Sequence, residues 1–103
     1  MNTATISPGE DESRCFELKG SLDFTTVPSL LSDSEALFKG LSDLVVDLSG
    51  VASSNGAGLA LLLEWLRLAR ARQQRIAFQH VPESIMVVAK ASEVDQLIPL
   101  AAP

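Results

Sequence analysis

Apolar positions along the first part of the chain change from a period of two to a helical period. Phe16 and Leu18 alternate with polar neighbours in residues 14–20, which predicts a half-buried strand that ends at Gly20. From Val27 to Gly40 the apolar residues recur at helical spacing, so we expect a helix with one apolar face there. Its N-terminal signals are Pro28 in the first turn and Thr25 or Thr26 as the cap.

The middle of the chain predicts a central strand, a loop and a long helix. Residues 44–48 are short, β-branched and nearly all apolar, as in a strand that is covered on both faces. Small residues over 49–58 predict a loop. A leucine stripe then predicts a helix that begins near Gly56–Gly58 and ends near Arg72.

The two ends of the chain complete an α/β pattern. Residues 76–81 resemble another strand, a helix starts at Pro82, and residues 94–99 predict a short helical turn or strand. Residues 1–13 are polar and are interpreted mostly as a flexible arm, with at most a short strand near Thr3–Ile6. The prediction is one domain over 14–103, with a mixed sheet of four or five strands and helices mainly on one face.

The amino-acid composition argues against several classes of function. The chain has 103 residues, 13 acidic and 8 basic, for a net charge of −5, which argues against nucleic-acid binding. One cysteine, Cys15, and one histidine, His80, exclude an internal disulfide and a zinc site built from Cys and His. We therefore expect no catalytic site, metal or cofactor. The arginine-rich stretch 67–75 is either a solvated helix end or a surface for an acidic partner or anionic lipid.

The cellular location is predicted from two sequence signals, a membrane-spanning helix and a signal peptide, neither of which is expected in this sequence. The run Leu59–Leu63 ends at Glu64 and is far shorter than the roughly 20 apolar residues of a membrane-spanning helix. The N-terminus has no basic region followed by an apolar run, so no signal peptide is expected. Together with a single cysteine, this predicts a cytoplasmic protein.

The small-residue loop 49–58 is the candidate functional segment, because sites in α/β folds gather where strands end. A phosphate-binding loop needs a lysine that is missing here, and a nucleophile elbow needs a G-x-S-x-G frame that Ser53 and Ser54 lack. A tight turn in which Asn55 or Ser54 caps the next helix is the remaining local interpretation.

The same segment resembles the signature of STAS domains, the fold of sulfate-transporter tails and anti-sigma-factor antagonists such as SpoIIAA. Asp47, Leu48, Ser49 and Val51 match its D-L-S-x-V part, and Gly58 and Leu59 match its end. Asn55 stands where the family has Asp, and Gly56 and Ala57 stand where Ser or Thr is usual. The resemblance covers about residues 14–98 and implies a SpoIIAA-like fold.

Two further segments are the apolar run 58–63, which is followed by the basic stretch 67–75, and the end formed by residues 89–91 with Val94, Leu97 and Pro99. In these the chain resembles the MlaB-like branch of the family, the small cytoplasmic subunits of a phospholipid ABC transporter. This implies a non-catalytic subunit that binds an MlaF-like ATPase, in a complex with permease and periplasmic lipid-binding subunits at the inner membrane. It also implies a docking surface at the start of the long helix and its preceding loop. The residues expected there are Ser53, Ser54, Asn55, Gly56, Ala57, Ala60, Glu64 and Arg67.

Two departures from the STAS signature bear on the alternative functions. Anti-sigma-factor antagonists are phosphorylated on a signature serine, but Ala57 occupies that position, so no phosphorylation is expected there. MlaB-like proteins commonly have threonine at the Gly56 position, where it contacts the ATPase. The alternatives are therefore an antagonist-like regulatory protein, or a small enzyme that would depend on His80 alone.

Overall fold

A computed structural model of the chain describes residues 3–9 and 14–101. Within these ranges, strands and helices alternate after an initial pair of strands. The elements are β1 Ala4–Pro8, β2 Cys15–Leu22, α1 Val27–Phe38, β3 Asp43–Ser54, α2 Gly56–Ala71, β4 Arg75–Gln79 and α3 Glu83–Ala91, followed by a 3-10 turn at Asp95–Leu97.

The strands form one mixed sheet in the order β1-β2-β3-β4. β1 is antiparallel to β2, whereas β2, β3 and β4 are parallel and are connected through α1 and α2. Leu44, Val46 and Leu48 of β3 are buried, but Val45 and Asp47 between them are only half-buried. The predicted α/β sheet with helices mainly on one face is confirmed. The prediction of a central strand covered on both faces is wrong, because β3 buries alternate residues only.

β1 occupies part of the predicted N-terminal arm. Ala4 to Pro8 pair with Gly20 to Phe16, and Ile6 is a core residue. The short strand expected near Thr3–Ile6 is therefore present and extends to Pro8. Residues 1, 2 and 10–13 of the predicted arm lie outside the described residues, and the domain limit at residue 14 stays a prediction.

β2 and β3 are both longer than predicted. β2 continues through Gly20 to Leu22, and β3 continues through most of the predicted loop to Ser54, which pairs with Leu22. Register shifts near Lys19 and Ser21 let the pairing continue although this part of β3 consists of small residues. The segment predicted as a loop is thus mainly strand, and only Asn55 separates it from α2.

Gly20 is required where β2 passes β1. Its φ is +103°, and a Cβ placed there would lie 2.2 Å from the Thr3 carbonyl oxygen. We expect Gly20→Ala to lower the free energy of unfolding by at least about 1–3 kcal/mol, since strained backbone and a steric clash act together. Urea denaturation measures this. Gly40→Ala is the matched control, because Gly40 also has a positive φ (+81°) but nothing within 4 Å; equal losses would contradict the steric part of the argument.

An aspartate side chain fixes the turn that leads into α1. Asp23 Oδ1 accepts from the backbone N–H groups of Thr25 (2.8 Å) and Thr26 (3.1 Å). The Thr26 hydroxyl donates instead to the Ser21 carbonyl at 2.8 Å. Thr26 is the N-cap residue of α1, as predicted, but its side chain makes no capping hydrogen bond. The hydrogen bonds of Asp23 and Thr26 fix the β2–α1 connection.

The core contains a row of aromatic rings between the helices and the sheet. Phe16 and Phe38 are 5.0 Å apart between ring centroids, Phe38 and Trp65 5.8 Å, and Trp65 and Phe78 6.5 Å. The buried Trp65 Nε1–H donates to Ser34 Oγ at 2.8 Å, and this hydroxyl donates to the Leu31 carbonyl at 3.0 Å. α1 and α2 are thus joined by a satisfied polar contact inside the apolar layer.

The C-terminal segment is both a helical turn and an extended segment. After the turn at Asp95–Leu97, Leu100 forms a parallel bridge with Phe78 on the outer edge of β4. β4 ends at Gln79, earlier than predicted, because His80 has a φ of 56° and leaves the strand conformation.

Candidate functional site

The carboxyl ends of β2, β3 and β4 bring three connections to one edge of the sheet. The Asn55 N–H donates to the Leu22 carbonyl at 3.3 Å, which joins the β3–α2 connection to the end of β2. The Ser54 and Ser84 hydroxyls are 3.0 Å apart and join it to the start of α3. The beginning of α2 is therefore joined to the end of β2 on one side and to the start of α3 on the other.

Asn55 is the N-cap of α2. Its Oδ1 accepts the Ala57 N–H at 2.8 Å, which confirms Asn55 and not Ser54 as the capping side chain. Ser53 is exposed, and its hydroxyl donates to Ser21 Oγ at 3.0 Å on β2. The hydroxyls of Ser53 and Ser54 thus connect β3 to neighbouring elements.

Gly56 and Ala57, adjacent in the first turn of α2, have opposite environments. Gly56 is exposed, and a Cβ at this position would have no neighbour within 4 Å. Ala57 is 1% exposed and belongs to the core. The expectation that the Ala57 side chain contacts a partner is therefore corrected: the helix turns it toward the interior, and Gly56 is the accessible position.

Ala60 and Arg67 continue the exposed face that begins at Gly56, and Glu64 lies beside them, half-buried. Their spacing of four, four and three residues keeps them on one side of the helix. Arg67 Nε donates to Glu64 Oε1 at 2.6 Å, and a second nitrogen donates to Oε2 at 3.1 Å. Hydrogen bonding to Arg67 lowers the pKa of Glu64.

Phe24 is the residue of this edge that sequence reasoning missed. Its side chain is 76% exposed, more than any other large apolar side chain described. It directly follows Asp23, whose side chain fixes the connection, so the ring is presented from an ordered backbone. Its position after a strand end, in a polar stretch, was the only available signal.

We define the α2 docking face as Gly56, Ala60, Glu64 and Arg67 on the helix, together with Phe24 at the same edge of the sheet. It combines an exposed aromatic ring, two positions with little or no side chain, and a fixed ion pair. Small residues let another backbone approach closely, while aromatic and arginine side chains are the types enriched at interface hot spots. This arrangement suits contact with a protein.

Comparison with known proteins identifies the fold and the family. A family model described as "Mlab, STAS domain" matches residues 8–99. The chain belongs to the STAS family. No curated protein matches it. Among solved structures, the unphosphorylated form of the anti-sigma factor antagonist SpoIIAA is similar, with 13% identity and a TM-score of 0.69 over 95% of this chain and 89% of that one.

The family and the fold support a non-catalytic regulatory STAS protein that acts through protein–protein interaction. The resemblance to MlaB-like proteins proposed from the signature is confirmed by the family model. Within the described residues, no helix is both long and apolar enough to cross a membrane.

The signature aspartate of this STAS domain lies away from the α2 docking face, on the uncovered side of the sheet. His80 Nδ1 is 2.9 Å from Asp47 Oδ1, and Ser49 donates its N–H to Oδ1 (2.9 Å) and its hydroxyl to Oδ2 (3.1 Å). Partial burial raises the pKa of Asp47, but the hydrogen bonds from His80 and Ser49 outweigh it and lower the pKa overall. Because the Ser49 hydroxyl points to Asp47, it does not form a Ser–His pair with His80.

Three arginines of residues 67–75 form ion pairs with three different acidic residues, which the sequence alone does not predict. Arg67 pairs with Glu64, Arg72 lies 3.6 Å from Glu35, and Arg75 lies 3.3 Å from Asp43. Glu35 and Asp43 come from other elements. The stretch is therefore not one patch, since Arg67 belongs to the α2 docking face, Arg72 follows the last turn of α2 and Arg75 begins β4.

Proposed function

We propose that this STAS domain is a non-catalytic subunit that binds, and stabilises or regulates, the MlaF-like ATPase of a phospholipid ABC transporter. The complex would include permease and periplasmic lipid-binding subunits, and the domain would lie at the cytoplasmic face of the inner membrane, where the transporter maintains outer-membrane lipid asymmetry. The observation that carries the proposal is the MlaB family match over residues 8–99.

The α2 docking face supplies the chemistry for such an interaction. Gly56 and Ala60 allow the partner's backbone to come close to the helix, and Gly56 leaves the first turn uncovered. In the first turn of α2 the Asn55 side chain accepts from Ala57 at 2.8 Å and the Asn55 carbonyl accepts from Gly58 at 2.9 Å. The N–H of the exposed Gly56 is therefore the group that an oxygen of the ATPase can accept from. The Glu64–Arg67 pair adds a charge pattern that fixes orientation.

Phe24 is expected to be an anchor of this interface. Phe24→Ala should weaken ATPase binding by about 2 kcal/mol, or roughly 30-fold in Kd, because an aromatic side chain that becomes buried in an interface is a typical hot spot. Folding should change little, since the ring is 76% exposed in the free domain. Titration calorimetry with the purified ATPase measures the loss.

Leu97→Ala is the matched control for Phe24, because Leu97 is also an exposed apolar residue, at 49%, but follows α3 at the other end of the sheet. Its binding should equal that of the unmodified domain. Equal weakening by both substitutions would remove Phe24 from the interface.

An antagonist-like regulatory protein remains the second candidate, because the fold resembles that of an anti-sigma factor antagonist and Ser53 presents an exposed hydroxyl. Ala57 and Gly56 lack the hydroxyl of the signature. Stoichiometric phosphorylation of Ser53 or Ser54 by a partner kinase, with loss of partner binding, would favour this candidate over the transporter subunit.

Affinity capture of the tagged chain from native membranes tests the proposed function. The expected result is co-purification of an ABC-type ATPase together with its permease. Capture of a kinase or a sigma-factor regulator without any transporter subunit would overturn it.

A further inference from the structure

A groove of about 570 Å³ lies where β3 and β4 begin, and it extends to the outer edge of β4 at Ile76 and Pro99. This is the end of the molecule away from Gly56, since Arg70 of its wall lies in the last turn of α2. Apolar side chains and three arginines line it, among them Leu66, Ile76, Ala77, Pro99, Arg14, Arg70 and Arg75.

The backbone at this edge is open for pairing at Ile76, whereas Phe78 is already bonded to the C-terminal segment. Phe78 donates to the Pro99 carbonyl at 2.8 Å, and the Ala101 N–H donates to the Phe78 carbonyl at 2.8 Å. Continuing this parallel ladder to Ile76 would require an amide hydrogen on residue 99, which proline lacks. Over residues 3–9 and 14–101, the C-terminal segment makes no backbone hydrogen bond to Ile76. The pairing of the C-terminal segment with β4 therefore does not reach Ile76, and the outward N–H and C=O of Ile76 face the groove.

Charge at the groove has the sign opposite to that of the whole chain. The net charge of the chain is −5, yet three arginines line the groove with Asp43 as the one acidic lining residue. Asp43 lies 3.6 Å from Arg14 and 3.3 Å from Arg75, while Arg70 has no ion pair within the described part of the chain. The groove thus has unbalanced positive charge beside an apolar floor.

We propose that this groove binds an extended, acidic segment of a partner protein, which adds to β4 as a further strand. The open N–H and C=O of Ile76 would supply main-chain hydrogen bonds, the apolar lining would receive alternate side chains, and the arginines would pair with carboxylates. This site is separate from the α2 docking face and does not depend on the proposed function.

A peptide fits these features better than an anionic lipid. A lipid headgroup would use the arginines and an acyl chain would use the apolar lining, but neither would pair with the exposed strand edge. Since an open edge strand is a template for another strand, the backbone decides between the two.

The test uses the full chain and a labelled synthetic peptide of alternating glutamate and valine. We expect binding in fluorescence anisotropy that weakens as salt rises, and protection of the Ile76 amide from hydrogen exchange. The same peptide with N-methylated backbone should lose binding. Binding without protection of Ile76, or binding of phosphatidylglycerol vesicles but not of the peptide, would overturn the proposal.

Matched charge reversals complete the test. Arg70→Glu should weaken peptide binding about tenfold, whereas Lys90→Glu should leave it within about twofold, because both cations lie in the last turn of a helix but only Arg70 lines the groove. Equal effects would contradict the site. A third variant replaces Glu10, Asp11 and Glu12 with glutamine. If the peptide binds only this variant, the occupant is the chain's own acidic segment and the proposal of a partner is wrong.

Discussion

Replacement of Gly56 by glutamate should weaken binding of the ATPase at least about 30-fold while leaving the domain folded. Gly56 is exposed and a side chain there meets nothing within 4 Å, so the free domain accommodates the change. A carboxylate in the first turn of a helix is also favoured by the helix dipole. At a close contact, however, an unpaired buried charge costs about 2–5 kcal/mol, which corresponds to at least about a 30-fold rise in Kd. Titration calorimetry and thermal denaturation measure the two effects separately.

Two variants control for the Gly56 result. Gly56→Thr introduces the residue that the family resemblance implies at this position, and it should keep or strengthen ATPase binding. Ala71→Glu adds the same charge at the other end of α2, where the residue is also exposed, and should bind like the unmodified domain. If Gly56→Glu binds normally, the docking face lies elsewhere. Ala57 is unsuitable for this test, because it is 1% exposed and a charge there would damage the fold itself.

Removal of the Trp65 side chain should cause the largest loss of stability. Trp65 is 2% exposed, contacts the rings of Phe38 and Phe78, and donates to Ser34. Trp65→Ala should lower the free energy of unfolding by about 3–5 kcal/mol, because it leaves a cavity between α1, α2 and the sheet. This is a large fraction of the roughly 5–15 kcal/mol that stabilises a typical domain. Urea denaturation followed by circular dichroism measures it.

A double-mutant cycle separates the hydrogen bond from the packing. Trp65→Phe and Ser34→Ala each remove the Trp65–Ser34 bond, and we expect their effects to be less than additive when combined. Additive losses would show that the bond contributes nothing beyond the packing of the two residues.

Much of the fold was readable from local patterns. Phe16 and Leu18 alternate with polar residues in β2, and the leucine stripe of α2 faces the core as predicted. The length of β3 was not readable, because residues 49–54 are small and polar and have weak intrinsic strand preference. They are strand because β2 lies beside them and continues to Leu22. Pairing between segments distant in sequence decides such cases.

The candidate site was predicted in part. The spacing of Gly56, Ala60, Glu64 and Arg67 was enough to place them on one helix side, and Asn55 has the side chain of a typical cap. Ala57 was misplaced because the sequence does not state which residue of the first turn faces the sheet. Phe24 was missed because an aromatic residue is usually buried. Only the structure shows that Asp23 fixes the connection that carries Phe24 and that the ring is exposed.

The most direct test of the central claim is photo-crosslinking from position 60 of the full chain in cells. Ala60 lies on the exposed side of α2, between Gly56 and Glu64, so a photoreactive residue there should crosslink to an ABC-type ATPase. The same residue at position 90, on the exposed part of α3, should give no such product. An ATPase crosslink at position 60 alone is the predicted result. Crosslinking to the ATPase from position 90 but not from position 60 would contradict the account.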